Sequence, residues 1–315
     1  MNRRYRNCFL LFLAAFVWGI AFVSQSKGME YVKPFSFLAS RNILGATVLV
    51  PLILYRNKNK ECRKGNVKTN IAAGVCCGIV LTIASFLQQY GIIYTTVGKA
   101  GFITTLYIIF TPILGIFIGK KAPVIIWIGA LTAAFGLYLL CMTEHFYLDK
   151  GDLMILLSAL FFAVHILLID FFSSRADSIV LSGIQFIVCF ALCALPSIII
   201  EKTTFEQIKM GILPILYAGI VSSGLGYTLQ AAGQNGVNPT TAAVILSLES
   251  VIAAISGTAA YKLGILESNQ TMTFRQVIGC AIVFTAVILV QLPWDKIKIK
   301  KLVYIIKKSP EKRKV

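Results

Sequence analysis

Inside a long apolar run an ionisable side chain needs a reason, because a charge at the centre of a bilayer costs roughly 2.5 to 3.5 kcal/mol on insertion scales. Glu249 is such a residue, near the middle of an apolar stretch. A carboxyl there can bind and release a proton or pair with a substrate amine. It can equally serve as a structural hydrogen-bond partner for a neighbouring helix. Arg41 lies about two turns inside its own run. Its guanidinium can hold a carboxylate through two hydrogen bonds or snorkel toward the nearer surface. His165, near the middle of a third run, can exchange a proton near neutral pH or be a satisfied packing residue. Gln88 and Gln230 bring amides that can line a solute path or bond between helices, the latter worth about 0.6 kcal/mol. Trp18 and Tyr107 are candidate cavity walls, with packing as their other role. Asp170, close to the end of its run, reads as interfacial.

These residues do not form a catalytic constellation. The sequence contains no G-x-S-x-G, H-E-x-x-H or P-loop motif, and its glycine-rich stretch Gly219 to Gly226 has no P-loop lysine. His145 and His165 are its two histidines. Eight cysteines are present, most inside apolar runs and without C-x-x-C spacing, where they behave as small polarizable hydrophobes. No enzyme activity, metal or cofactor is expected.

The elements that carry the candidates are set by composition. With 57% hydrophobic and 14% charged residues, the chain falls well short of the roughly 25% charged residues of a soluble domain. Apolar runs of about 20 residues can each cross a hydrocarbon layer about 30 Å thick. Ten can be drawn, over Cys8 to Ser26, Pro34 to Tyr55, Thr69 to Tyr90, Lys99 to Ile118, Pro123 to Thr143, Asp152 to Phe171, Ile179 to Ile200, Ile212 to Ala232, Thr240 to Tyr261 and Phe274 to Leu292. All must be helical, since open strands in lipid leave backbone groups unpaired. The expected fold is an all-α integral membrane protein of about ten transmembrane helices. Pro112, deep in the fourth run, is expected to kink it. Gly74 with Gly78, and Gly115 with Gly119, have the spacing that lets helices approach closely, within one molecule or in a homodimer.

The formal net charge of +17 is distributed as a topology signal and not as a nucleic-acid groove. With the N-terminus inside, the inner segments hold 21 Lys and Arg and the outer ones 8, with Arg41 left within a span. Both termini are therefore expected to be cytoplasmic, in a multi-pass protein of the plasma (inner) membrane. The first run follows Arg3, Arg4 and Arg6 but reads as a retained helix and not a cleaved signal. The basic tail over 293–315, led by Trp294, either lies on anionic headgroups or is disordered.

The two halves of the sequence repeat one another. A shift of 142 aligns Leu87, Gln88, Gly91, Ala100 and Leu106 with Leu229, Gln230, Gly233, Ala242 and Leu248, and a shift of 144 aligns Ala15 with Ala159. Arg41 then corresponds to Gln185, and Pro112 to Ala254. Five spans is an odd number, so the second copy enters from the opposite side. The expected units are five-helix repeats over 8–143 and 152–292, inverted about an axis in the membrane plane. Such repeats imply a central site exposed to each side in turn, although channels use them too.

Phe16-Val17-Trp18-Gly19 followed by Phe22, then Pro34-Phe35 with Arg41, resembles the opening of EamA-type transporters of the drug/metabolite transporter superfamily. Ala242-Ala243 followed by Leu246-Ser247-Leu248-Glu249 resembles that family's ninth helix. The chain departs from the pattern at Ser250, where members often carry proline, and at Lys120, Lys121 and Lys262, where an acidic residue is common. The resemblance implies ten helices, a duplicated five-helix unit and transport of small metabolites. The expected function is a secondary transporter of an amino acid-like or related solute, working by alternating access with a proton as a candidate coupling ion. Substrate-binding or coupling roles fall to Glu249, Arg41, Gln88, Gln230, Trp18, Tyr107 and His165. A passive channel or facilitator is the alternative, and a membrane-embedded enzyme a more distant one.

Overall fold

The computed structural model describes residues 3–58, 65–120, 123–141, 150–267 and 271–291. The basic tail lies outside the described residues. Ten helical crossings follow one another: α1 (Arg3–Gly28), α2 (Pro34–Lys58), α3 (Val67–Ile92), α4 in two pieces (Val97–Thr105 and Tyr107–Phe117), α5 (Val124–Cys141), α6 (Lys150–Ser173), α7 (Ser178–Pro196, extended by a π-helical turn Ser197–Glu201), α8 (Ile212–Leu216, a π-helical stretch Tyr217–Tyr227, then Thr228–Gly233), α9 in two pieces (Pro239–Leu246 and Leu248–Lys262) and α10 (Phe274–Gln291). A short helix, Phe205–Met210, joins α7 to α8. Eight crossings are long and apolar enough to span a bilayer, and the apolar helices of α5 and α10 are shorter. The chain is an all-α integral membrane protein, and its ten crossings return it to the end at which it starts, here called the terminus end.

The helix starts are legible in the side chains that meet their free N–H groups. Asn66 accepts from Thr69 N at the start of α3, and Asp177 accepts from Ile179 N and Val180 N at the start of α7. The first turn of α2 is met from elsewhere. Phe35 N donates to Glu201 Oε1 at 2.8 Å, and Ser36 N to Glu201 Oε2 at 2.7 Å. A carboxylate at a helix N-terminus satisfies two free donors and opposes the helix dipole. It also ties the start of α2 to the end of α7.

Each repeat lends its first helix to the other. α1 packs along α8 and α9, and α6 packs along α3 and α4, while α1 and α3 scarcely touch. The two groups, α1 with α8 and α9, and α6 with α3 and α4, face one another. The α2–α7 and α5–α10 pairs flank them. Trp18 Nε1 donates to Ser222 O, Tyr217 Oη to Val17 O, Ser24 Oγ to Pro214 O and Ser256 Oγ to Gly19 O within the first group. In the second, Lys99 pairs with Asp152 at 2.5 Å and Lys120 with Asp170 at 2.6 Å, one bridge at each end of the α4–α6 contact. Asp170 thus lies at a helix end, as its sequence position suggests.

Two expectations about α4 need correction. Its interruption falls at Leu106, six residues before Pro112, and the piece Tyr107–Phe117 runs through Pro112 without a break. α9 is interrupted at the corresponding level, at Ser247, with no proline nearby. Side chains that bond back to their own helix explain the breaks better than proline does. Thr105 Oγ1 donates to Phe102 O, Ser247 Oγ to Val244 O and Ser250 Oγ to Ser247 O, a pattern that bends helices. Pro51 and Pro196 also lie inside helices, nearer their ends. Gly74 and Gly78 do give close packing, against Ile184 and Val188 of α7. Within the chain, Gly115 and Gly119 do not. Gly119 has a φ of +73° with open space around it, and it ends α4 in a turn closed by Lys120 N donating to Gly115 O.

Replacing Glu201 by Ala should leave the first N–H groups of α2 without partners. The expected outcome is a lowered melting temperature of the purified protein, equivalent to about 0.5 to 2 kcal/mol for a lost cap, measured by thermal unfolding in detergent.

Candidate functional site

The interrupted helices bring side chains to the centre of the molecule. Tyr107 and Glu249 each occupy the first turn after the break in their helix. Tyr107 Oη donates to Glu249 Oε1 at 3.0 Å, and both groups are buried. They are separated by 142 residues, the offset that relates the two repeats, so the bond joins equivalent positions across the pseudo-two-fold axis. Glu249 comes close to α1 because residue 19 is glycine. A Cβ at Gly19 would lie 2.5 Å from Ile252 Cβ and 2.7 Å from Glu249 O.

Around this pair lies a buried cavity walled by Trp18, Phe22, Gln25, Arg41, Gln88, Thr104, Tyr107, Phe162, His165, Ile166, Ser222, Tyr227, Gln230, Leu246 and Glu249. All seven residues singled out from the sequence are among them. The space that the centre of a water molecule can occupy is about 30 Å³, room for about two waters. A wider, open recess of about 570 Å³ lies at the end opposite the termini, between Ser26, Met29 and Glu30 and the stretch from Ile92 to Thr96 with Lys99.

Arg41 does not snorkel. It is 4% exposed, and its guanidinium turns inward to donate from Nε to Ser223 Oγ at 3.1 Å and from Nη2 to Ser222 Oγ at 3.3 Å. Among the described residues, no acidic side chain forms an ion pair with it. The serines lie on the π-helical stretch of α8, a geometry that often marks functional sites. His165 is 1% exposed and shares a hydrogen bond of 3.2 Å with Gln185 Oε1. Gln185 is the repeat counterpart of Arg41. Tyr227 forms the aromatic floor, 4.7 Å from Trp18 and 5.9 Å from His165 between ring centroids. Gly226 leaves room for the indole, since a Cβ there would lie 2.6 Å from Trp18 Nε1.

Gln88 Nε2 donates to Thr104 Oγ1 at 3.0 Å, whereas Gln230 Oε1 and Gln25 Oε1 are buried without a partner. Sequence reasoning missed Gln25, Phe162, Tyr227, Ser222 and Ser223. For Phe162 a signal was available: it stands 144 residues after Trp18, as Tyr107 stands 142 before Glu249. The serines belong to the glycine-rich stretch noticed for its composition alone.

The EamA-like transporter family model matches this chain twice, over residues 6–142 and 149–292. The chain belongs to the EamA-like transporter family. An uncharacterized transporter of Archaeoglobus fulgidus is 29% identical over 286 residues, covering 90% of this chain and 84% of that protein. A solved crystal structure, 18% identical, superposes with a TM-score of 0.69 over 93% of this chain and 98% of its own, a likeness of fold. This EamA-like transporter is a multi-pass membrane protein with a two-repeat helical fold that moves a small solute across a membrane.

In this EamA-like transporter, Tyr107→Phe removes the hydrogen-bond donor on Glu249 Oε1 and should destabilise the fold by about 1 to 2 kcal/mol. Glu249→Gln keeps an acceptor oxygen for Tyr107 and should cost much less. Melting temperatures of the two variants, measured side by side, check the order.

Proposed function

We propose that this EamA-like transporter is a secondary carrier of the plasma membrane that moves a small amino acid-like metabolite by alternating access, with Glu249 carrying the coupling proton. The observation behind this reading is the pairing, in one buried cavity, of a guanidinium met by two hydroxyls and a carboxyl met by one phenol. Arg41 bonded to neutral serines has charge to offer a carboxylate, which would make bidentate, charge-assisted bonds. Glu249 is neutral when it holds a proton, and a substrate ammonium arriving as that proton leaves would form an ion pair in its place. A zwitterion satisfies both groups at once. Trp18, Phe22, Tyr107, Phe162 and Tyr227 supply apolar contact, and Gln25, Gln88 and Gln230 offer amides to remaining polar groups. His165, held from behind by Gln185, completes the polar lining.

Space for about two waters is too small for a metabolite, so binding requires the helices to part. That favours a carrier over the channel or facilitator reading. The repeat units 8–143 and 152–292 would be the moving halves, with their first helices exchanged. The excess of basic residues on the terminus side supports cytoplasmic termini, with the tail over 293–315 on anionic headgroups. A homodimer through the exposed apolar helix faces is compatible with the fold.

In proteoliposomes, uptake of a labelled amino acid should be accelerated by unlabelled substrate on the opposite side. Simple equilibration without that acceleration would overturn the carrier reading in favour of a pore. Glu249→Gln should abolish accumulation driven by a pH gradient yet retain counterflow; an unchanged response to the gradient removes Glu249 from coupling. Arg41→Lys keeps the charge but not the planar fork, and should weaken binding of carboxylate-bearing solutes by about tenfold, or 1.4 kcal/mol, as read from the concentration dependence of counterflow.

A further inference from the structure

Side-chain hydrogen bonds cross directly from the α1, α8, α9 group to the α3, α4, α6 group at three depths. One is the Tyr107–Glu249 bond at the centre. The second lies toward the recess end, where Gln89 Nε2 of α3 donates to the main-chain carbonyl of Gln25 in α1 at 3.2 Å. The third lies toward the terminus end, where Gln234 Nε2, just past α8, donates to the main-chain carbonyl of Ile166 in α6 at 3.0 Å. Both glutamines are fully buried at 0% exposure, and the Oε1 atom of each is without a partner.

The two outlying bonds play the same part at opposite ends. Each runs from the third helix of a repeat to the first helix of the same repeat, across the seam between groups. The residues are not themselves repeat counterparts: under the 142 shift Gln89 falls on Ala231 and Gln234 on Ile92. Similar bonds have been placed at the two ends by different residues, about one turn apart. Each has an acceptor that is already part of a helix. A helix carbonyl has a second lone pair for such a bond, and when the end opens to water the freed amide is hydrated, so the net cost of parting it is only about 1 kcal/mol.

Their positions relative to the cavity are what give them consequence. Gln25 lines the cavity, and Ser26, the next residue of α1, and Met29, just past its end, line the recess. Ile166, the acceptor at the other end, lines the cavity as well. A bond between equivalent residues on the axis maps onto itself when the two repeats exchange conformations, whereas a bond at one end does not. With a rise of 1.5 Å per residue, Gln25 is about 9 Å along α1 from Gly19, which packs on Glu249. A rocking of about 15 to 20 degrees about the centre then displaces that end by about 3 Å, enough to part a hydrogen bond.

We infer that Gln89 and Gln234 are the two gate latches of the transporter: Gln89 holds the recess end shut against Gln25 O, Gln234 holds the terminus end shut against Ile166 O, and each side opens by releasing its own latch while the Tyr107–Glu249 bond stays as the fulcrum. The inference rests on the alternating-access reading above. It adds to that reading the residues that seal each end, and it makes the present structure the state with both latches closed.

The test uses full-length protein in proteoliposomes with its eight native cysteines replaced and one reporter at a time, Ile92→Cys at the recess end or Val237→Cys at the terminus end, both buried here. A membrane-impermeant maleimide is applied to each side in turn. Gln89→Leu should raise labelling at position 92 about fivefold, the factor for a net bond of about 1 kcal/mol, and lower it at 237. Gln234→Leu should do the reverse. The double variant should return the ratio of the two rates to that of the parent, which also guards against one variant folding poorly. Equal increases at both positions, or no change in the ratio for either single variant, would overturn the latch assignment. Unaltered trans-stimulation of the parent protein in the same vesicles would then show that the carrier reading survives its loss.

Discussion

A carboxyl group in the middle of a hydrocarbon layer is cut off from bulk water, and in this fold Glu249 turns to Tyr107, the residue in its own place in the other repeat. The arrangement requires both helices to be broken at that level. An unbroken α4 or α9 would carry the two side chains around the helix with its regular pitch. The breaks at Leu106 and Ser247 set the first turn of each following piece against the axis. Gly19 then allows α9 to close on α1. The serine and threonine bonds to nearby carbonyls, the glycine contact and the exchange of first helices between repeats all serve to bring one polar pair together where an unpaired polar group would cost most.

How much of this was readable beforehand follows from what each signal measures. Hydropathy fixed the ten crossings, because helix length and lipid thickness are the same physical quantity seen from two sides. Polar residues within apolar runs pointed inward, because such groups face the bundle interior or a cavity, and with Trp18 and Tyr107 the seven chosen residues all line the cavity. What this did not reveal was that Tyr107 and Glu249 are themselves counterparts, although the offset that aligns Leu106 with Leu248 aligns them too. Pro112 misled because proline is the loudest local signal for a kink, while the actual breaks arise from hydroxyl side chains whose effect depends on which rotamer reaches a carbonyl. Gly115 and Gly119 misled in the same way: spacing alone does not distinguish a packing face from a helix end that needs positive φ.

Charged residues near the helix ends have a quieter role. Lys99 with Asp152, Lys120 with Asp170, and Glu201 on the start of α2 all lie away from the cavity. The first two fasten α4 to α6, so the second group of helices is clamped at both ends. The first group is fastened mainly by hydroxyl, amide and indole donors reaching main-chain carbonyls. Two groups each held together internally and joined across the seam by a few neutral bonds can move as bodies. Stiffness within and looseness between is the mechanical condition for rocking.

The cavity departs from two-fold symmetry where a carrier of a polar solute would need it to. The repeat counterpart of Arg41 is Gln185, behind the lining, and that of Trp18 is Phe162. The backbone departs at the same place. Tyr217–Tyr227 of α8 is π-helical, whereas the corresponding part of α3 is an ordinary α-helix. A π-helix turns through a smaller angle per residue, so two consecutive side chains stay on one face. Ser222 and Ser223 can therefore both reach one guanidinium, which an α-helix would make difficult. The widened stretch also lets Ser222 O accept from Trp18. Repetition supplied a scaffold with two equivalent halves, and the π-helical stretch is the local change that lets one half hold a buried cation while the other holds an amide and an imidazole.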